Sequence, residues 1–241
     1  TDTALSLVVD KIEAGLLRNQ YTLACFCDIS GAFDTILISS IIDGMKEKGI
    51  PSFLIKWFET CLRTRCATAT INDKAVTRHL SKGTAQGGVG SPLAWCLGID
   101  DILQKLNKPP FILAGFADDL CLMISGKDGN ALVDLMQPVL NKIVEMGASK
   151  GLKFNELKTQ VVMYTLKRKK PTKKLVINNN PIEYSNGAKY LGVFLDDKLS
   201  FNTHINQKIN KCKNHLFALK SIIGQKWGPS PQMMRWAYIA I

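Results

Sequence analysis

Three aspartates carry most of the chemical information in this chain. Asp118 and Asp119 stand side by side in AGFADDLCLMI (114–124), a stretch of otherwise apolar neighbours. Adjacent carboxylates repel, and burying either without a partner costs several kcal/mol. A plain polar turn would also account for Asp here, but the pair lacks the Asn-Gly or Asp-Gly chemistry of tight hairpin turns. A third acid, Asp28, ends an apolar run of its own in FCDISGAFDTI (26–36). If that run lies beside a hairpin built on 118–119, the acids meet at one sheet edge. Hard carboxylate oxygens in that arrangement suit Mg²⁺, which keeps waters and takes phosphate oxygens as its other ligands. Two such ions about 4 Å apart hold the attacking and leaving oxygens of a phosphoryl transfer. Asp34 reads differently, as the cap of a helix starting near it.

The elements that must position these acids follow from periodicity. Residues 4–17 place Leu5, Val8, Val9, Ile12 and Leu16 at helical spacing. YTLACFCDI (21–29) reads as a buried strand. Helical pattern returns at Ile38, Ile41, Ile42 and Met45, breaks at GIP (49–51), and resumes through Phe53, Trp57, Phe58 and Leu62. CATATIN and KAVTRHL flank Asp73 as a hairpin, and the Gly-rich TAQGGVGSP (84–92) leads into a helix with Pro92 at its start. FILAGFA and LCLMIS form two strands around the acidic pair, 131–147 an amphipathic helix, and TQVVMYT (159–165) another strand. That order predicts an α+β fold, an antiparallel sheet of split-βαβ type backed by helices. A basic linker (167–174), short strands in 175–200 and a polar, basic helix over 203–223 complete the pattern.

Composition narrows the partners. The 241 residues are 46% hydrophobic and 21% charged, enough to bury a real core, and no apolar run approaches a membrane span. The first residue is Thr1, so the chain reads as a piece of a longer polypeptide. Seven cysteines without a matching His cluster read as buried reduced thiols of an intracellular protein. The net charge is +11, and KRKKPTKK (167–174) and the acid-free stretch from Lys198 onward concentrate it. A one-sided basic surface points to a polyanion such as nucleic acid.

The motifs now resemble a known family. CDISGAFD, TAQGGVGSPLAW, GFADDLCL, GLKFNELKTQVV and KYLGVFLDDKLSF are similar, in order, to motifs A to E of the reverse transcriptases of non-LTR (LINE-type) retrotransposons. The resemblance implies a right-hand polymerase palm with partial fingers and the start of a thumb. Residues 1–20 are then a remnant of the fingers, 21–166 the palm, 167–174 the linker, 175–200 the primer-grip strands and 201–241 the start of the thumb. It implies RNA-directed DNA synthesis, with an RNA template, a DNA primer and deoxynucleotides as partners and two Mg²⁺ (or Mn²⁺) as cofactors. Asp28, Asp118 and Asp119 would hold the metal, with the main-chain carbonyl of Ile29 in reach. Phe33 would be the steric gate against a 2′-hydroxyl. Gln86 and Gly87 would handle the nucleotide, as would Phe116, where the family more often has Tyr. Lys158 would serve the leaving pyrophosphate, and Tyr190, Leu191 and Gly192 the primer grip. Lys167, Arg168, Lys169, Lys170, Lys208, Lys211 and Lys213 would contact phosphates.

Gly90 departs from the family's usual aliphatic residue and is expected to loosen the loop. Most of the fingers and thumb, and any endonuclease region, would lie elsewhere in a polyprotein. Nuclear action is implied by the family's priming on chromosomal DNA. An inert RNA-binding remnant of a retroelement remains the alternative, with nucleotide cyclases and viral RNA-copying polymerases as more distant readings.

Overall fold

The computed structural model describes residues 2–72, 74–169, 171–221 and 228–240. Helix α1 (Asp2–Leu17) leads into β1 (Tyr21–Cys27), then the short α2 (Ala32–Thr35), α3 (Ile38–Glu47) and α4 (Ser52–Arg63). The hairpin β2 (Cys66–Ile71) and β3 (Lys74–His79) precedes α5 (Ser91–Leu106). Next come β4 (Ile112–Phe116), β5 (Asp119–Gly126), α6 (Gly129–Ser149) and β6 (Gln160–Tyr164). Two small hairpins follow, β7 (Val176–Ile177) with β8 (Asn180–Pro181), and β9 (Gly187–Tyr190) with β10 (Val193–Asp196). Helices α7 (Asn202–Ser221) and α8 (Pro231–Ala240) end the chain.

The main sheet has the order β4-β5-β1-β6, every neighbour antiparallel. All seven residues of β1 are buried, because both faces of this central strand are covered. Strand alternation sends Leu23, Cys25 and Cys27 to one face. There they join Leu120, Leu122 and Ile124 of β5 and the apolar stripes of α3, α5 and α6. Ala24 and Phe26 face the other way, into a second cluster with Cys121, Met123, Val162 and Tyr164. Val8 and Ile12 of α1 and Tyr190 and Leu195 of the β9–β10 hairpin close that side. The palm-like α+β arrangement is therefore a sheet between two unequal layers.

Two local expectations change. The N-cap of α2 is Gly31, in the left-handed region at φ 57°, while Asp34 lies inside the helix. Asp34 instead accepts a hydrogen bond from Gln86 Nε2 at 3.2 Å. The helical stripe of α4 is only partly buried: Ile55 and Leu62 face the core, whereas Phe53 and Trp57 are 69% and 63% exposed. Asp73, between β2 and β3 in the sequence, lies outside the described residues, as does Lys170.

Candidate active site

The register of the sheet brings the acids together. The β1–β5 ladder ends with the pair Cys27–Leu120, so the next step places Asp28 opposite Asp119. Asp28 and Asp119 line one cleft with Lys158, Gln160, Lys189 and Tyr190. Asp118 sits one residue away, in the turn that joins β4 to β5.

The backbone around Asp28 is fixed from the segment after α6. Asp28 N–H donates to Thr159 Oγ1 at 3.2 Å, and its carbonyl accepts from Asn155 N–H at 2.9 Å. Ser30 N–H donates to the Lys153 carbonyl at 2.9 Å. These bonds flank an isolated bridge between Ile29 and Phe154, in which the N–H and carbonyl of Ile29 are not themselves used. Neither Asn155 nor Thr159 stood out in the sequence.

The turn between the strands has two residues, Ala117 and Asp118, since Phe116 still pairs with Asp119. Ala117 lies at φ 51°, where a Cβ is disfavoured. Its carbonyl accepts a hydrogen bond from the indole N–H of Trp95 at 2.5 Å. Trp95 is 1% exposed on α5, and its ring lies 5.4 Å from that of the half-buried Phe33.

Lys158 and Lys189 line the same cleft without reaching ion-pair distance of the acids. Asp28 is half-buried, while Asp118 and Asp119 are exposed at the strand junction. Partial desolvation in the cleft still pushes the carboxyl of Asp119 above its ordinary range, and the nearby charges of Asp118 and Asp28 push it further. Among the described residues, no ion pair involves any of the three. Nor are any three acids, histidines or cysteines there gathered tightly enough to enclose an ion. Repulsion between like charges favours such a spread arrangement. The donor set nevertheless fits a hard divalent cation, which would remove the mutual repulsion.

The other residues singled out by sequence surround this end unevenly. Gln86 and Gly87 form a turn ahead of α5, and Gly87 requires its φ of 80°. The loop is tied to α2 through Thr84 N–H, which donates to the Phe33 carbonyl at 2.6 Å. Gly90 lies at φ −84°, an ordinary helical value, so its backbone does not need glycine. A Cβ there would meet the Phe58 ring at 3.4 Å, ordinary van der Waals contact. Phe116 is 37% exposed, directly across from Asp119.

Tyr190 is 2% exposed and packs on Phe26 at 5.4 Å, and its buried hydroxyl has no partner among the described residues. Leu191 and Gly192 make the two-residue turn after it, at φ 48° and 86°. Left-handed values at both positions are those of a type I′ hairpin turn. Lys189 also lines the cleft, a cation that the sequence reading passed over.

The basic linker lies elsewhere. Lys167 Nζ sits 4.5 Å over the Tyr21 ring and donates to the Lys127 carbonyl at 3.3 Å. Tyr21 donates to the Lys169 carbonyl at 2.7 Å. Tyr21 begins the strand that Cys27 ends, so Lys167 and Lys169 are roughly 20 Å from the acids at about 3.3 Å per residue. Lys173 and Lys174 pair with Asp134 and Glu183. Arg168, Lys208, Lys211 and Lys213 are exposed, the three lysines along α7. A larger cleft, between α6 and residues 173–179, is remote from the acids.

The profile of the family "Reverse transcriptase (RNA-dependent DNA polymerase)" matches residues 5–219. The chain belongs to the reverse transcriptase family. Among curated relatives of this reverse transcriptase domain is the 115 kDa protein of the type-1 retrotransposable element R1DM of Drosophila melanogaster. It is 26% identical over 229 residues, covering 95% of the chain and 22% of the relative. The RNA-directed DNA polymerase of mobile element jockey, from the same organism, is 23% identical, covering 85% of the chain and 23% of the relative. The chain thus spans under a quarter of the length of these relatives. Among solved structures, telomerase from Candida tropicalis in complex with a fragment of telomeric RNA superposes with a TM-score of 0.57. It is 13% identical, and the match covers 83% of the chain and 32% of the telomerase. That likeness concerns the fold, and it agrees with the palm arrangement derived above. Among the described residues, no helix is long and apolar enough to cross a membrane.

Proposed function

We propose that this domain is the catalytic core of an RNA-directed DNA polymerase of a non-LTR retrotransposon. The observation that carries the proposal is the placement of Asp28 opposite Asp119, with Asp118 beside it in the turn, at one end of the β1–β5 ladder within a reverse transcriptase fold. In the reaction, a primer 3′-oxygen forms a bond to the α-phosphorus of a deoxynucleotide. The bond to the β-phosphate breaks, pyrophosphate leaves, and the hydroxyl proton passes to solvent. Bound Mg²⁺ supplies positive charge at the reacting phosphate.

The chain's own residues do the positioning. Asp28, Asp118 and Asp119 would hold the ions, Mg²⁺ or Mn²⁺, with the carbonyl of Ile29, which takes no part in the bridge to Phe154, as a further oxygen. Phe33 lies under the sugar and excludes a 2′-hydroxyl. The Gln86–Gly87 turn and Phe116 border the incoming nucleotide and its template base. Lys158 holds a proton for the leaving pyrophosphate. Tyr190, Leu191 and Gly192 support the primer terminus. Lys208, Lys211 and Lys213 contact phosphates without reading sequence, while Arg168 and Lys169 offer a remote basic contact. Such an enzyme works with the remaining fingers, thumb and endonuclease regions of a longer polyprotein, in the nucleus.

The test is Mg²⁺-dependent extension of a DNA primer on an RNA template, with Asp118→Asn as the inactive control. RNA binding that survives in both proteins, with extension in neither, would instead fit an inert remnant.

A further inference from the structure

Trp95 connects three parts of the site that are distant in sequence. It sits in the second turn of α5, the helix that follows the Gln86–Gly87 loop. Its indole N–H reaches the Ala117 carbonyl at 2.5 Å, and its ring contacts Phe33 at 5.4 Å. The Ala117 carbonyl belongs to the central peptide of the β4–β5 turn, the one joining Ala117 to Asp118. Rotation of a central peptide interconverts the two kinds of tight hairpin turn and changes the backbone angles on both sides of it. Those angles set the direction of the Asp118 side chain. The turn has weak intrinsic preference, because Ala117 lacks the glycine or asparagine that a left-handed φ favours.

Ala117 is exposed, so water would replace the indole if the bond were lost. The hydrogen bond therefore does little for folding and much for orientation. We propose that Trp95 is a positioning residue for the acidic pair. Its N–H locks the central peptide of the turn, and with it the direction in which Asp118 leaves the backbone beside Asp119, and its ring ties that turn to the sugar-side residue Phe33. This rests on the acids being the site of nucleotidyl transfer.

The test replaces Trp95 by benzothienylalanine, which exchanges N–H for sulfur at nearly constant shape, and separately uses Trp95→Phe. Mn²⁺ affinity is measured from the free-ion magnetic resonance signal, and single-nucleotide extension gives kcat and KM. The sulfur analogue is expected to keep the ion-free Tm, to lose about tenfold in Mn²⁺ affinity and in kcat, and to leave KM for the nucleotide unchanged. Trp95→Phe, which also shortens the ring packed on Phe33, is expected to lose Mn²⁺ affinity and kcat at least as much and, unlike the sulfur analogue, to raise KM for the nucleotide. Wild-type Mn²⁺ affinity and kcat in the sulfur analogue would overturn the role of Trp95 alone. A wild-type chain that neither binds Mn²⁺ nor extends a primer would overturn the reading of the site, and this proposal with it.

Discussion

Asp28 stands opposite Asp119, one step beyond the Cys27–Leu120 pair that ends the β1–β5 ladder. Neither carboxylate has a cationic partner among the described residues, and Asp118 adds a third negative charge beside them. Asp118 and Asp119 are exposed, so solvent weakens this repulsion without removing it, and a bound cation would relieve what is left.

The ionisation of Asp119 gives the first prediction. Burial raises its folded pKa above the ordinary 3.8, helped by Asp118 and Asp28. A raised carboxyl contributes stability that is complete below 3.8 and lost as pH rises through the folded value. At neutral pH without divalent ions, Asp119→Asn should therefore raise Tm, by roughly 1–3 °C after allowing for solvent screening. Mg²⁺ should stabilise the wild type more than the variant. Calorimetry at pH 7 with EDTA and then with Mg²⁺ checks both signs.

Asp196 predicts the opposite pH response. Burial alone would raise its carboxyl, but backbone N–H groups of Ser200, Phe201 and Lys198 outweigh that and hold it below 3.8. These bonds brace the connection into α7, where Leu199 and Phe201 lie at φ 53° and 59°. Stability from Asp196 is present above 3.8 and lost as pH falls through the lower folded value. Asp196→Ala should cost roughly 1–3 kcal/mol at pH 7, measured by denaturant unfolding. The difference from wild type should shrink in acid.

The glycines of the loop before α5 should respond in opposite directions. Gly90→Ala places a methyl on Phe58 at an ordinary helical φ and should stabilise by about 0.5–1 kcal/mol. Gly87→Ala forces a side chain to φ 80° and should destabilise by about 1–2 kcal/mol. Paired urea titrations of the two variants decide this. Equal effects would mean that the loop does not hold the described conformation.

Phe33 gives a prediction about specificity. Phe33→Val removes the ring that lies against Trp95. It should raise the efficiency of ribonucleotide insertion relative to deoxynucleotide by at least about tenfold, with deoxynucleotide insertion largely kept. Single-nucleotide extension with each substrate measures the ratio, and an unchanged ratio would make Phe33 a packing residue.

Much of this site was legible because its residues conflict with their surroundings. Asp28, Asp118 and Asp119 are acids bordering apolar strands, and that contrast needs only composition and period to be seen, although the structure sets the pair at an exposed strand junction and not in the buried interior the apolar neighbours suggest. The sheet was legible for a related reason: β1 is a continuous apolar run, the mark of a strand covered on both faces. Trp95, Asn155 and Thr159 carry no such conflict. A tryptophan in an apolar helix looks like packing, and its N–H acceptor on Ala117 lies 22 positions away. Asn155 and Thr159 act through a strand-end geometry that exists only after β6 docks on β1. Charge patterning had the opposite weakness. The linker beginning at Lys167 is basic in sequence, yet docking at Tyr21 carries its start to the far end of the sheet from the acids.

The most direct measurement is single-nucleotide extension of a DNA primer on an RNA template, with and without Mg²⁺, by the wild type, Asp28→Asn and Asp118→Asn. The expected result is metal-dependent extension by the wild type and a loss of at least about a thousandfold in each variant. Extension that persists in either variant would contradict a catalytic role for the acids.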